Sequence, residues 1–404
     1  MSDRVPVVIV RRRRAQPFFG RHPWVFAGAI DRIEVPDDNE PDVGTVVRLD
    51  SHERKLIGWG LFNPHSNIRV RMYSWDEDAP EWKLLLSQRI ASAISVRRMR
   101  HDLKDPSSAC RLVFSESDQL SGLTADWYGG FLLVQFTSNA LYQFRDAIVD
   151  CLQSELQPRG IWLRTEKGMR DAEGLEVADG LVAGEEPPRP LFISENNIQF
   201  GVDVQQGQKT GFYLDQRQTR QAVARFTQGH RVLDAFCFSG GFGITAVCQG
   251  GATRSLGVDS SEAALTLAAA NAELNGVGDR CDFRRGDAKQ VLKQLEVEGT
   301  SFDTVILDPP RMARTRGGLE RAIRGYQKLN LQGLQVLRPG GILVTCSCSG
   351  LVSRSRFLEM LGDVSRRSGR SLRILELHGQ PDDHPVSALC PESSYLKVAI
   401  CHVT

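Results

Sequence analysis

The run Gly340-Gly341-Ile342-Leu343-Val344-Thr345-Cys346-Ser347-Cys348-Ser349-Gly350 carries residue types suited to nucleophilic chemistry. An apolar segment of strand character delivers a thiol to its carboxyl end. The crevice beyond the carboxyl ends of parallel strands is where open α/β sheets bind ligands. Two earlier segments end alike: Val232-Leu233-Asp234 runs into Ser239-Gly240-Gly241-Phe242-Gly243, and Val305-Ile306-Leu307 runs into Asp308-Pro309-Pro310. Glycines let backbone approach a ligand closely and open a helix whose N-terminus favours negative groups. Two prolines fix φ and remove donors, so the Asp308 carboxylate is held to meet the ring edge of a flipped base. Carbon 5 of a pyrimidine is too weak a nucleophile to take a methyl group directly. A thiolate adding to carbon 6 makes it enamine-like, which is covalent catalysis. The three strand ends together predict methyl transfer through an enzyme–base intermediate.

The donor follows from the same rim. Gly240-Gly241-Phe242-Gly243 is not the Gly-x-Gly-x-x-Gly fingerprint, which disfavours a nicotinamide cofactor. Asp259, ending the next strand, is placed to bind a ribose hydroxyl pair, and Asp287 could hold an adenine amino group. Loop, Asp259 and Asp287 together favour S-adenosylmethionine. Plainer accounts stand beside each motif. A strand-to-helix turn needs glycines anyway, and Asp308 could cap a helix. A cysteine is most often a small buried hydrophobe, the reading given to Cys110, Cys151, Cys248, Cys281 and Cys401, while Cys237 is expected to pack in its loop. Cys346 and Cys348 differ because the strand end exposes a thiol to the crevice. Strand alternation sends both to one side, and position 348 alone clears the strand.

These residues need a parallel sheet to bring them together. From about residue 191 the pattern alternates strand and helix, the signature of a doubly wound parallel α/β sheet. Strands are expected at 231–234, 255–259, 281–284, 304–307, 342–345, 373–377 and 396–401. A helix is expected over 261–274, stopped by Asn275-Gly276. Upstream, residues 1–73 read as short alternating strands of a small β-barrel. Residues 74–190 read as a separate α+β domain, with a helix over 81–100 whose apolar face is Trp82, Leu84, Leu85, Ile90, Ile94 and Val96.

A chain of 404 residues is too long for one ordinary core. No apolar stretch reaches the roughly 18–20 residues that span a bilayer, and the charge order of the N-terminus reverses that of a secretory signal. Nine cysteines, an odd count without Cys-x-x-Cys, suit a reducing cytoplasm. The eight histidines show no ligand spacing, so no structural metal is expected. Net charge is only +1, and the arginines are clustered: 11–14 with Arg21, then 97, 98 and 100, then 311, 314, 316, 321 and 324. A charge run is usually a solvated face, but clusters flanking the rim are candidates for phosphate contacts.

The motif set as a whole resembles one family. Gln208 to Arg217, Phe238-Ser239-Gly240-Gly241-Phe242, Asp308-Pro309-Pro310, Ser347-Cys348-Ser349-Gly350-Leu351 and Asp383-His384-Pro385-Val386 are similar to the bacterial large-subunit ribosomal RNA cytosine-C5 methyltransferases of the RlmI type. Arg21-His22-Pro23-Trp24-Val25-Phe26 resembles the start of that family's PUA domain, an RNA-binding barrel, and Glu116-Ser117-Asp118 its central domain. The resemblance implies a Rossmann-like class I S-adenosylmethionine-dependent methyltransferase sheet over 191–404. It also implies 23S ribosomal RNA as substrate and 5-methylcytosine as product. It points to Cys348 as nucleophile with Asp308 beside it. The expected cofactor set is Lys209, Tyr213, Asp234, Phe236, Ser239, Gly240, Gly241, Asp259, Ser260, Asp287, Ala288 and Asp308. Thr345-Cys346-Ser347 also matches the cysteine context of other RNA cytosine methyltransferases, so Cys346 stays open as the alternative. Those relatives carry a second cysteine after Pro-Pro, where this chain has Arg311. Two other readings remain at this point: a purine-directed RNA methyltransferase with structural cysteines, and an RNA-binding protein that holds the cofactor without turnover. Oligomeric state, a homodimer included, is left open by the sequence.

Overall fold

The computed structural model describes residues 5–36, 39–165, 167–205, 211–313 and 315–404. Lys209 and Arg314, both singled out above, lie outside them. The chain forms two compact units. One comprises Met1–Arg189 and Asp383–Ser393; the other comprises Pro190–Asp382 and Ser394–Thr404. No described helix is long and apolar enough to cross a membrane.

The first unit contains two sheets, each with its own core. A six-stranded sheet runs in the order Trp24–Phe26, Ile68–Ser74, Leu56–Phe62, Val46–Asp50, Val7–Val10, Ile30–Glu34. Its register slips at four antiparallel pairings, including Val25/Phe26 and Trp59/Gly60, and such bulges bend a sheet. It encloses Val8, Val25, Val47, Leu49, Phe62 and Val70. A five-stranded sheet, in the order Gly180–Gly184, Gly160–Arg164, Phe131–Phe136, Leu123–Tyr128, Ala109–Phe114, packs with helices Trp82–Arg98 and Arg145–Leu156. The expected domains 1–73 and 74–190 share this unit because buried polar groups tie them. Glu173 takes hydrogen bonds from Arg71 at 3.0 Å, Ser66 at 2.6 Å and the Asn63 amide at 3.0 Å. A buried carboxylate needs such partners to offset its lost hydration.

Two details of the 82–98 helix depart from the sequence reading. Leu84 and Val96 are exposed, and the face that packs inward is Leu86, Ile90, Ala93, Ile94 and Arg97. Arg97 is not a surface charge. It is 1% exposed and grips Asp118 through two bonds of 2.7 and 2.8 Å. It also donates to the Arg111 carbonyl at 3.1 Å and the Asp383 carbonyl at 3.1 Å. Residues 383–393 belong to this unit although the sequence places them between two strands of the other. The Asp383 carboxylate accepts from the Arg111 N–H at 3.1 Å and faces His384 Nδ1 at 2.8 Å, while the His384 ring lies 5.3 Å from that of Phe114. The Glu-Ser-Asp and Asp-His-Pro-Val motifs thus meet as structure.

The second unit is built on a seven-stranded sheet: β1 (Arg231–Ala235), β2 (Arg254–Asp259), β3 (Cys281–Arg285), β4 (Phe302–Leu307), β5 (Leu337–Ser347), β6 (Leu372–His378) and β7 (Lys397–Val403). Their order is β3-β2-β1-β4-β5-β7-β6, with β7 antiparallel to both neighbours and the first five parallel. Each of the seven overlaps an expected strand, and β1, β4 and the 342–345 stretch of β5 show the continuous apolar run of buried parallel strands. The helix Glu262–Leu274 is capped by Ser261, which accepts from the Ala264 N–H. A hairpin of Leu191–Glu195 with Ile198–Val202 precedes the sheet. Cys248 is exposed and Cys151 half-buried, so the buried reading of these two cysteines is corrected; Cys110, Cys281 and Cys401 are buried.

Candidate active site

Parallel strands β1, β2, β4 and β5 present their carboxyl ends on one rim. At the end of β1, Asp234 is buried. Its Oδ2 accepts the Gly243 N–H at 3.0 Å, and its Oδ1 is buried without a hydrogen-bond partner. Burial above all, then the nearby Asp308 and Asp259 charges, pushes this carboxyl up to about 7; the Gly243 N–H and Arg220 act the other way. The following loop is strained at Phe236 and Phe238, whose φ are 68° and 49°, while Gly240 takes its 83° freely. Positive φ is costly for a residue with a Cβ. Strand β2 holds the loop there, its Val258 carbonyl accepting from the Phe236 and Cys237 N–H groups at 2.8 and 3.0 Å. Asp259 helps, accepting the Phe238 N–H at 3.0 Å and the Ser261 N–H at 2.9 Å.

The expected cofactor residues divide by position. Ser239, Gly240 and Gly241 are buried in the loop and helix start, and Asn271 fixes the Ser239 carbonyl at 3.2 Å. Ser260 is exposed. Ala288 packs its methyl group in the core, so only its backbone faces elsewhere. Asp287 caps the next helix through the Lys289 and Gln290 N–H groups, both at 3.1 Å. Tyr213 stacks edge-on against Phe238 at 5.2 Å. Its phenol is pushed well above its ordinary value, by burial first and then by Asp308, Asp215, Cys348 and Asp259. The Tyr213 carbonyl accepts from Arg220 at 2.9 Å, and Arg220 forks onto Glu195 at 2.6 and 2.7 Å.

Asp308 and the two cysteines adjoin. Gln216 donates its amide N–H to Asp308 Oδ2 at 3.0 Å. Cys346, within β5, is fully buried, and burial followed by the Asp308 charge raises its thiol well above the ordinary value, against a hydrogen bond with Gln216. Cys348 stands one residue past the end of β5 and is half-buried, with its sulfur 3.8 Å from the Pro309 carbonyl. Beneath it, Ser349 Oγ meets Tyr326 Oη at 3.1 Å and the Ala313 N–H at 3.2 Å. A thiol outside the strand and a carboxylate oriented by an amide therefore share one rim. Gln216, Tyr395, whose Oη donates to Asp215 at 2.6 Å, and Lys397, whose Nζ donates to the Ser349 carbonyl at 2.6 Å, were not singled out from the sequence. Gln216 sits inside the quoted 208–217 motif, and Lys397 is a lone charge in an apolar strand, which was the available signal.

Residues 114–393 match the family described as S-adenosylmethionine-dependent methyltransferase. The chain belongs to this family. Residues 8–75 match the PUA-like domain. Among its relatives, "Ribosomal RNA large subunit methyltransferase I" of Photobacterium profundum is 38% identical over 384 residues, 95% of this chain and 96% of that protein. The protein of the same name from Klebsiella pneumoniae is 35% identical over 405 residues, covering all of both chains. The likeness to RlmI-type proteins thus extends along the full length. Among solved structures, a methyltransferase described from Streptococcus mutans superposes with a TM-score of 0.83 at 21% identity, covering 98% of this chain and 99% of that one. A methyltransferase complexed with SAH gives 0.84 at 22% with the same coverage. Those two share the fold. The crevice fits the donor such a family uses: S-adenosylmethionine carries a sulfonium cation, and Asp234, Asp259 and Asp308 supply the rim with carboxylates, one bearing an orphaned buried oxygen.

A second cluster lies in the first unit, where His22, Cys390 and Glu392 place ligand atoms within 4.8 Å of one another. His22 Nδ1 accepts the Trp24 N–H at 3.2 Å, so its proton sits on Nε2, which faces Glu392 at 3.3 Å. That tautomer presents a donor, where a cation would need a lone pair.

Proposed function

We propose that this protein methylates carbon 5 of a cytidine in large-subunit ribosomal RNA, with Cys348 as the covalent nucleophile. The observation that carries the reading is Cys348 itself: half-buried, one residue beyond β5, beside the turn that carries Asp308. The names of the full-length relatives support the substrate. The Cys348 sulfur, as thiolate, forms a bond to carbon 6, and the electron pair of the C5=C6 bond moves to carbon 5. Asp308, steadied by Gln216, accepts a hydrogen bond from the exocyclic amine at the ring edge and orients the base for that addition. Once carbon 5 bears its methyl group, its proton leaves to a base, the C5–H pair restores the C5=C6 bond, and the S–C6 bond breaks to return the thiolate. Bound S-adenosylmethionine supplies an electrophilic methyl group on sulfonium. Asp234, the Phe236–Gly241 loop, Asp259, Asp287, Tyr213 and Asp308 would hold it. The exposed arginines 11–14 and 21, and 311, 316, 321 and 324 after the Asp-Pro-Pro turn, would meet phosphates.

An RNA substrate with 5-fluorocytidine at the target site tests the chemistry, because fluorine at carbon 5 leaves no proton to remove. A denaturation-resistant protein–RNA adduct is expected. Methylated product from normal RNA without any such adduct would point to a purine target or non-covalent chemistry.

Cofactor affinity should depend on pH. A cationic ligand favours ionised Asp234, whose carboxyl lies near 7. Binding below that value must therefore release a proton, and affinity should rise with pH until Asp234 is ionised in the unliganded protein. Between pH 6 and 8 the gain approaches tenfold. Calorimetry from pH 6 to 8 measures it, and Asp234→Asn should flatten the profile. A wild-type profile as flat as the variant's would remove Asp234 from the site.

A further inference from the structure

Lys397 opens β7, opposite Ser347 in the antiparallel pairing with β5. It is 5% exposed. Lysine is almost never buried without a partner of opposite charge, since its ammonium loses strong hydration. Among the described contacts its Nζ meets no carboxylate. It donates to the Ser349 carbonyl at 2.6 Å and the Tyr395 carbonyl at 2.7 Å. An ammonium has three donors, and these two bonds fix it against the backbone of the residue that follows Cys348. Burial lowers Lys397 to about 8, while the adjacent Cys348 acts to keep it protonated. At pH 7 it therefore remains roughly 90% charged. Among the groups described beside Cys348 are Tyr213, Tyr326 and Cys346, and Asp308 acts on both Tyr213 and Cys346. None of these four supplies a positive charge to that sulfur. A thiolate is stabilised by a nearby cation, and the buried Lys397 ammonium, which meets no carboxylate among the described contacts, is tethered to the next residue's carbonyl.

We propose that Lys397 is a positioning residue whose buried ammonium is the counter-charge of the Cys348 thiolate, held in place by the Ser349 and Tyr395 carbonyls. The role rests on the reading of Cys348 as nucleophile. The thiol proton leaves to solvent, the sulfur keeps the electron pair, and the fixed ammonium balances it until the pair forms the S–C6 bond. The tether to Ser349 also fixes the backbone just after the nucleophile. Lys397 remains an ammonium throughout and is not the base that takes the carbon 5 proton.

The test uses the full-length protein and two variants, Lys397→Gln and Lys397→Arg. Iodoacetamide alkylation of the Cys348 peptide, followed by mass spectrometry from pH 5.5 to 9.5, reports the thiolate directly. In Lys397→Gln the alkylation midpoint and the acid limb of kcat/KM should both move up by about one pH unit or more. The alkylation rate at pH 7 should fall about tenfold and the deficit should narrow as pH rises. Lys397→Arg keeps the charge and should stay near the wild-type midpoint. A folded Lys397→Gln protein with the wild-type midpoint overturns the proposal. Should Lys397→Gln fail to fold, the reciprocal measurement decides. Lysine-selective 13C NMR should show Lys397 titrating lower in Cys348→Ala than in wild type, and an unchanged titration overturns the idea. Alkylation reads the Lys397–Cys348 link whatever the thiol does in turnover. An adduct mapped to another residue would instead refute the nucleophile and leave that link measurable.

Discussion

Cys348→Ala is expected to abolish both methyl transfer and the 5-fluorocytidine adduct, with turnover falling by roughly a thousandfold or more. The reason is positional. Cys348 lies beyond the end of β5 and keeps part of its surface open, whereas Cys346 is sealed inside the strand. Burial and the neighbouring Asp308 hold the Cys346 thiol protonated far above its ordinary range, and a thiol is a poor nucleophile beside a thiolate. Cys346→Ala should therefore still form the adduct, with altered turnover because its sulfur touches Gln216, which orients Asp308. Single-turnover assays with gel-resolved adducts separate the outcomes. If Cys346→Ala loses the adduct and Cys348→Ala keeps it, the roles exchange.

Arg97→Ala is expected to cost about 3–5 kcal/mol of stability, since it strands Asp118 as a buried charge without its partner. The two residues next to it in the charge run behave differently: Arg98 and Arg100 are exposed, and replacing either should stay within about 0.5 kcal/mol. Denaturant unfolding of the first unit's transition measures both. A loss below about 1 kcal/mol for Arg97→Ala would mean the fork onto Asp118 is incidental. Salt-dependent RNA binding gives the complementary readout, because Arg97 has no surface from which to reach a phosphate.

These contrasts show what the sequence could reveal. Strands β1, β2, β4, β5 and β7 were legible as apolar stretches bounded by turns, whereas charged residues interrupt β3 and β6, and the position of Cys348 past β5 follows from where that run stops. Asp234, Asp259 and Asp308 were legible for the same reason, as acids closing such runs. Arg97 was misread because a row of arginines looks solvated unless the facing Asp118, 21 residues on, is known. Leu84 and Val96 were misplaced because the helix packs against one sheet along a narrower stripe than its apolar residues span. Gln216 and Lys397 act through neighbours brought close only by folding: Asp308 is 92 residues from Gln216, and Ser349 is 48 from Lys397. The assignment of 383–393 to the first unit likewise depends on bonds such as Arg97 to Asp383, 286 residues apart.

That last arrangement bears on when the protein can finish folding. A ribosome makes the strands and helices of the first unit early, yet the Asp383 carbonyl and carboxylate that satisfy Arg97 and the Arg111 amide emerge near the end of the chain. Until then those donors wait on water or on improvised partners. Four residues after that segment ends, the chain must also lay down β7 and with it Lys397. Completion of the early unit and placement of the lysine beside Cys348 are thus late events in synthesis, close together in time. A nascent chain holds most of its secondary structure well before it holds a finished catalytic rim.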